Sequence, residues 1–113
     1  MTDKELLELA AKAAGIELDW SVVGFNGPYY VNKLGGHSSF RPLDDDGDAL
    51  RLAVKLGFGV IVFARFDQPD VWVGYRHSEN EGRNVAEELG NDPYAATRRA
   101  IVRAAAEIGK NMK

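Results

Sequence analysis

The sequence predicts a mixed α/β (α+β) fold, a three-layer α/β/α sandwich whose sheet is mainly antiparallel. Three stretches carry apolar residues at helical intervals, and runs of β-branched and aromatic residues are joined by turn-forming residues. The run GVIVFARF is apolar on both alternating faces between Val60 and Phe63. A strand of that kind needs layers over both faces of its sheet. We therefore expect helices in front of the sheet and behind it.

Length and composition predict one ordered domain spanning residues 1–113. The 113 residues are 45% hydrophobic and 27% charged, which is ordinary for a globular chain and far from the composition of disorder. The chain has no cysteine, which excludes disulfides and thiolate chemistry. Its net charge of −3 argues against direct nucleic-acid binding, and no apolar run approaches the roughly 20 residues of a membrane span.

The first half of the chain predicts a helix, a hairpin and a loop. Thr2 and Glu5 have the spacing of a capping box, and the apolar pattern that follows predicts a helix over residues 3–14, ended by Gly15. SVVGFNGPYYV predicts a hairpin that turns at Asn26-Gly27, with its second strand beginning at Pro28 or lying at an edge. Residues 32–42 are expected to form a loop.

The second half predicts a helix, a hairpin and a long final helix. Asp46 or Asp48 is expected to cap a helix that runs to about Leu56 and ends at Gly57. Its predicted apolar stripe consists of Leu50, Ala53, Val54 and Leu56. GVIVFARF then pairs with VWVGYRH across a turn at DQPD, and residues 78–84 form a polar loop. Residues 85–89 fit a short edge strand or a helical turn, and Asp92-Pro93 starts a helix to about Ile108.

Three blocks of the sequence carry a family resemblance: RPLDDDGDALRLAVKLG, DPYAATRRAIVRAAAEIGK and KELLELAAKAAGI. Together they cover roughly half of the chain. They resemble the phage ABA-sandwich family, small proteins of tailed phages and prophages of proteobacteria. The family has Trp-Asn-Pro-Leu before the aspartates, where this chain has Phe40-Arg41-Pro42-Leu43. The resemblance implies the sandwich fold and a phage origin, and it carries no active site across.

The acidic cluster of Asp44, Asp45, Asp46 and Asp48 has two competing interpretations. Gly47 falls too early for a calcium loop of the EF-hand type. Carboxylates in the first turn of a helix are stabilised by its dipole. We therefore predict that the cluster caps a helix, with a partner-facing acidic patch at Asp44, Asp45 and Asp46 as the alternative.

Other polar motifs favour structure over chemistry. GGHSS at 35–39 has glycines and serines suited to an anion, but a flexible connector fits it better. His37 and His77 are too few for a metal site. Arg98, Arg99 and Arg103 fit a solvated helix face, with Arg103 able to pair with Glu107. No catalytic residue, metal site or cofactor is predicted.

The aromatic and arginine residues are the strongest candidates for binding a partner. Strand alternation places Trp72, Gly74 and Arg76 on one face and Val71, Val73 and Tyr75 on the other. Trp, Tyr and Arg dominate binding hot spots, although most aromatic residues in a chain of this size fill the core. The predicted partner-binding residues are Trp72, Arg76, Asp44, Asp45, Asp46, Tyr29 and Tyr30.

The resemblance implies a phage-encoded protein, and small phage proteins without catalytic constellations often act by occupying a host protein. We therefore expect a non-enzymatic protein of the host bacterial cytoplasm. We expect it to inhibit a bacterial host protein such as a CRISPR component or another anti-phage defence protein. One alternative is a protein that sequesters a nucleotide signal through GGHSS and Arg76, Arg98 or Arg99. Another is an accessory role in phage assembly, and in each case an edge strand such as the one after Pro28 offers a route to a homodimer.

Overall fold

A computed structural model describes residues 1–20, 28–31, 34–64 and 67–112. The helices are α1 (Asp3–Ala13), α2 (Asp46–Leu56) and α3 (Pro93–Lys110). The strands are β1 (Tyr29–Val31), β2 (His37–Ser39), β3 (Gly59–Phe63), β4 (Asp70–Ser78) and β5 (Glu81–Glu88). The mixed α+β class and the antiparallel pairing predicted from the sequence are confirmed.

The strands form two antiparallel sheets. β1 pairs with β2, and a second sheet has the order β3-β4-β5. Ile61 lies opposite Trp72, and Trp72 lies opposite Ala86, so these three side chains form one row across the second sheet. β3 and β5 are its edges, and a register shift between Arg76 and Ser78 interrupts the β4–β5 pairing.

The last helix is the centre of packing. α3 contacts α1, α2, β4 and β5. Two runs of consecutive residues on it are buried, Ala100 to Val102 and Ala104 to Ala106. Because successive helical residues point about 100° apart, such runs bury α3 on more than one side. α3 therefore lies against the sheet and also holds α1 and α2.

The burial predicted for β3 is wrong. Val60, Ile61 and Val62 are 38%, 56% and 47% exposed, although the run was expected to be covered on both faces. The physical reason is that β3 is an edge strand, while α3 packs on β4 and β5. Trp72, on the opposite face from the buried Val71 and Val73, is 42% exposed. The helices therefore do not cover both faces of the three-stranded sheet in the described part of the chain.

The helix ends follow local sequence signals. Thr2 caps α1 by accepting a hydrogen bond from the Glu5 amide at 3.1 Å. Asp92 caps α3 with Pro93 in its first turn. Gly57 ends α2 in the left-handed conformation, with φ of 70°, as predicted. The cap of α2 is Asp45, not Asp46 or Asp48. The helix begins at Asp46, whereas a cap at Asp46 would have started it at Gly47.

Two segments differ from their predicted structure. On α2 the buried residues are Ala49, Leu52 and Ala53, whereas Leu50 and Val54 of the predicted stripe are 63% and 72% exposed. The predicted polar loop at 78–84 is a tight turn at 79–80 followed by β5, which extends through the undecided segment to Glu88. The predicted turn at Asn26-Gly27 lies outside the described residues, whereas β1 begins directly after Pro28.

Candidate interaction surface

An exposed face of the three-stranded sheet brings Trp72 and Arg76 together. Along β4 the residues Val71, Val73 and Tyr75 are buried, while Trp72 and Arg76 are exposed. This alternation confirms the predicted division of the strand into two faces. Trp72 extends a row with Ile61 and Ala86, which are also exposed. We call Ile61, Trp72, Arg76 and Ala86 the open sheet face.

Polar contacts hold the larger side chains of this face in place. The Trp72 indole Nε1 donates to Asp70 Oδ2 at 2.8 Å. Arg76 Nη1 donates to the Glu79 carbonyl oxygen at 2.6 Å, across the end of the β4–β5 hairpin. A tethered tryptophan has less rotamer freedom to lose on binding. The face therefore presents apolar area with a cation at one end.

The edge of the sheet beside this face is also apolar. β3 has the sequence GVIVF and carries no charge. Val60 and Val62 lie opposite Val73 and Val71, on the side where α3 packs, yet both are partly exposed. The main contacts of α3 with the sheet are on β4 and β5, and these edge valines keep part of their surface exposed. We call Val60, Ile61 and Val62 the β3 edge.

Most of the acidic cluster has a structural role. Asp45 caps α2 by accepting from the Asp48 amide at 3.1 Å. Asp46 pairs with Arg98 Nη1 at 2.6 Å, and Arg98 Nε donates to the Leu43 carbonyl at 2.8 Å. The four-aspartate motif thus starts a helix and ties it to α3, as the capping interpretation predicts.

Asp48 and Arg51 complete this network. Asp48 Oδ2 accepts from the Arg41 amide at 2.8 Å, and Oδ1 pairs with Arg51. The hydrogen bond from Asp48, helped by its charge and that of Asp45, raises the pKa of Arg51 above its ordinary value. Asp44 is exposed, and its side chain makes no hydrogen bond or ion pair within the described residues. Asp44 is therefore the member of the cluster best placed to meet a partner.

Tyr29 and Tyr30 lie on the other sheet. They pair with Ser39 and Ser38 of β2, and both are half-buried. Tyr30 packs against the core and lines a cleft of about 1210 Å³ with Trp20, Arg51 and Lys55. Arg51 Nη2 lies 3.6 Å from Asp45 Oδ2 and lines the same cleft as Tyr30. The structure therefore gathers Tyr30 and Asp45 around Arg51, whereas Trp72 and Arg76 lie on a different sheet.

The basic residues of α3 are engaged within the protein. Arg99 pairs with Asp3 at 3.3 Å. Arg103 pairs with Glu87 of β5 at 2.7 Å, where Glu107 was the predicted partner. β5 lies against α3, so the strand supplies the carboxylate. The predicted connector at GGHSS contains β2, so His37 to Ser39 form a strand.

Neither a metal-ligating cluster nor a membrane-spanning helix occurs in the described residues. No group of three or more His, Asp or Glu side chains there is arranged to hold a metal ion. None of the helices in that part of the chain is long and apolar enough to cross a bilayer.

Sequence reasoning missed the β3 edge as part of the candidate surface. An uncharged strand next to a turn is the signal for it, but the same composition also fits a buried central strand. The order of the strands in the sheet distinguishes an edge strand from a central strand, and the sequence does not specify that order.

Known proteins supply no template for this surface. No protein-family model, curated protein or solved structure matches the chain. The resemblance to the phage ABA-sandwich family therefore stays a prediction, and function must be argued from the surface itself.

Proposed function

We propose that the protein is a phage-encoded, non-enzymatic inhibitor that binds a bacterial host protein through its open sheet face. The host protein is a component of a CRISPR or other anti-phage defence system, met in the bacterial cytoplasm. The observation that carries the proposal is the exposed row of Ile61, Trp72 and Ala86 beside Arg76. Aromatic and arginine side chains of this kind dominate protein interfaces.

The way the protein uses its charges supports binding over bond-making chemistry. Asp45, Asp46, Asp48, Arg98, Arg99 and Arg103 all have partners inside the chain. These groups fix helix ends and hold α3 to its neighbours. The open sheet face itself exposes the apolar row of Ile61, Trp72 and Ala86, which suits steric occupation of another protein's surface.

The mechanism follows from the shape of the face. Trp72 supplies contact area in the middle of the row, and Asp70 fixes its indole. Arg76 adds a cation at the hairpin end, suited to a carboxylate on the target. Asp44, exposed on another element, is available to steer the approach toward a basic groove.

The test measures rescue of a phage from a defended bacterium. A CRISPR-restricted test phage should form more plaques when the protein is expressed, and the double variant Trp72→Ala/Arg76→Ala should lose this effect. With the purified effector complex, Trp72→Ala should weaken binding by about 30-fold, as for a hot spot of about 2 kcal/mol.

A matched control separates the face from general exposure of aromatic residues. Tyr94 is 69% exposed and lies on α3, not on the three-stranded sheet that carries Trp72. Tyr94→Ala should keep full rescue and full binding. Equal rescue by wild type and by the Trp72→Ala/Arg76→Ala variant would remove the open sheet face from the mechanism.

A second candidate function is sequestration of a nucleotide signal, favoured by the cleft between Trp20, Tyr30, Arg51 and Lys55. Aromatic rings stack on bases, and Lys55, which has no ion pair within the described residues, suits a phosphate, whereas Arg51 is held by Asp48. A cyclic dinucleotide at about 100 times its dissociation constant would stabilise the protein by about 2.7 kcal/mol. A thermal shift that Lys55→Met abolishes would favour this function. The lead proposal predicts no shift.

A further inference from the structure

The β3 edge lacks the features that usually protect an edge strand. β4 pairs with one side of β3, and no strand in the described ranges pairs with the other side. The outward backbone groups of an edge strand form a template for another strand. β5, the opposite edge, carries Glu81, Arg83, Glu87 and Glu88 next to a register shift. Charges and irregularity of this kind block edge pairing, and GVIVF has no charge to do so.

The sequence of β3 is self-complementary. In an antiparallel pair of two β3 strands related by a two-fold axis at Ile61, Ile61 faces its own copy and Val60 faces Val62 of the second copy. Every cross-strand pair along this edge is then apolar. Two β5 strands paired antiparallel over their full length would set Glu81 opposite Glu88 at both ends, so acidic groups would meet. Charge therefore permits self-association at β3 and opposes full-length pairing at β5.

Such a pair would cover what each copy leaves exposed. Val60 and Val62 lie on the α3 side of the sheet and are 38% and 47% exposed. In the pair, the four valines would lie between the two α3 helices. Ile61 would meet its copy on the opposite face, beside both Trp72 rings.

Because no described strand pairs with the outer side of Val60 to Val62, and because this edge is uncharged and symmetric, we infer that the β3 edge pairs with the β3 edge of a second copy of the chain. The product is a dimer with one sheet in the order β5-β4-β3-β3-β4-β5. This dimer displays two open sheet faces side by side. Its formation does not depend on which host protein these faces bind. A five-residue strand gives an interface smaller than that of stable complexes. We therefore expect reversible dimerisation in the micromolar range.

Charge substitution at the symmetry axis tests the pairing. Ile61 is 56% exposed, so Ile61→Lys and Ile61→Glu leave the buried core intact. Sedimentation velocity from about 1 to about 500 µM should show a dimer for wild type and monomers for each variant alone. Mixing the two variants should restore a heterodimer, because the introduced ammonium of one copy then faces the introduced carboxylate of the other across the axis. Leu50→Lys, at an equally exposed position on α2, should dimerise as wild type does.

Hydrogen exchange provides a second readout. Amides of the β3 edge should exchange more slowly as the wild-type concentration rises, while those of β5 stay constant. If the wild-type protein stays monomeric over the whole concentration range, the β3 edge does not pair with a second copy, and the inference is overturned. A dimer that persists in both Ile61 variants, or a mixture that stays monomeric, overturns it as well.

Discussion

Asp44 and Asp45 are neighbours with the same charge and different roles. The Asp45 carboxylate accepts from the Asp48 amide and caps α2, whereas the Asp44 side chain is exposed and makes no hydrogen bond or ion pair in the described structure. Four aspartates in five positions thus include one residue that starts the helix and one that is free for recognition.

The first prediction separates these two roles. Asp45→Ala should lower the free energy of unfolding by about 1 kcal/mol, because it leaves an amide of the first helical turn without its acceptor. Asp44→Ala should change it by less than about 0.5 kcal/mol. Urea unfolding monitored by circular dichroism measures both. Equal losses of unfolding free energy in the two variants would mean that the aspartates stabilise α2 through their total charge and not through the Asp45 cap.

At the scale of the element, α2 shows how a helix can be predicted while its buried face is not. The residues Leu50, Ala53 and Val54 form one helical stripe, and Ala49, Leu52 and Ala53 form an overlapping one. Ala53 belongs to both stripes. The structure buries the second stripe, because the side of the helix with Ala49, Leu52 and Ala53 faces the core. Leu50 and Val54 stay exposed.

Two leucines two residues apart test this orientation. Leu52 is 3% exposed, so Leu52→Ala should cost about 2 to 5 kcal/mol through lost burial and a residual cavity. Leu50 is 63% exposed, and Leu50→Ala should stay within about 0.5 kcal/mol. The midpoint of urea unfolding measures both changes. A larger loss of stability for Leu50→Ala than for Leu52→Ala would contradict this orientation of α2.

At the scale of the whole molecule, α3 joins the layers and Gly109 sets its distance from α1. A Cβ added at Gly109 would lie 2.8 Å from the carbonyl carbon of Leu9, and closer still to its oxygen. Real Cβ atoms do not approach backbone so closely. The two helices can therefore keep this contact only with glycine at position 109.

Gly109→Ala should destabilise the protein by about 1 to 3 kcal/mol, the usual range for overpacking. Because α3 contacts α1, α2 and the sheet, the loss should appear as one transition. Trp72 fluorescence, measured in a Trp20→Phe background, and the helical circular dichroism signal should have the same midpoint. Gly82→Ala is the control, since its nearest atom, the Tyr75 oxygen, is 3.9 Å away. Separate midpoints would show that sheet and helices unfold independently.

The sequence predicted the features that depend on neighbours along the chain. Thr2 with Glu5, Asp92 with Pro93, and Gly57 each marked a helix end through contacts within a few residues. The exposure of Trp72 and Arg76 followed from strand alternation. By contrast, the uncovered valines of β3 depend on which strands pair and on where α3 lies. Those contacts join residues far apart in sequence, and no local pattern specifies them.

The central place of α3 also bears on how the chain is made. Synthesis runs from the N-terminus, so α1, α2 and the three-stranded sheet all leave the ribosome before residues 93–110. Until then, Ala10, Leu52 and Val71 lack the helix against which their elements pack. The nascent protein therefore holds these apolar surfaces open until α3 emerges, and chaperone binding during that interval would protect them from aggregation.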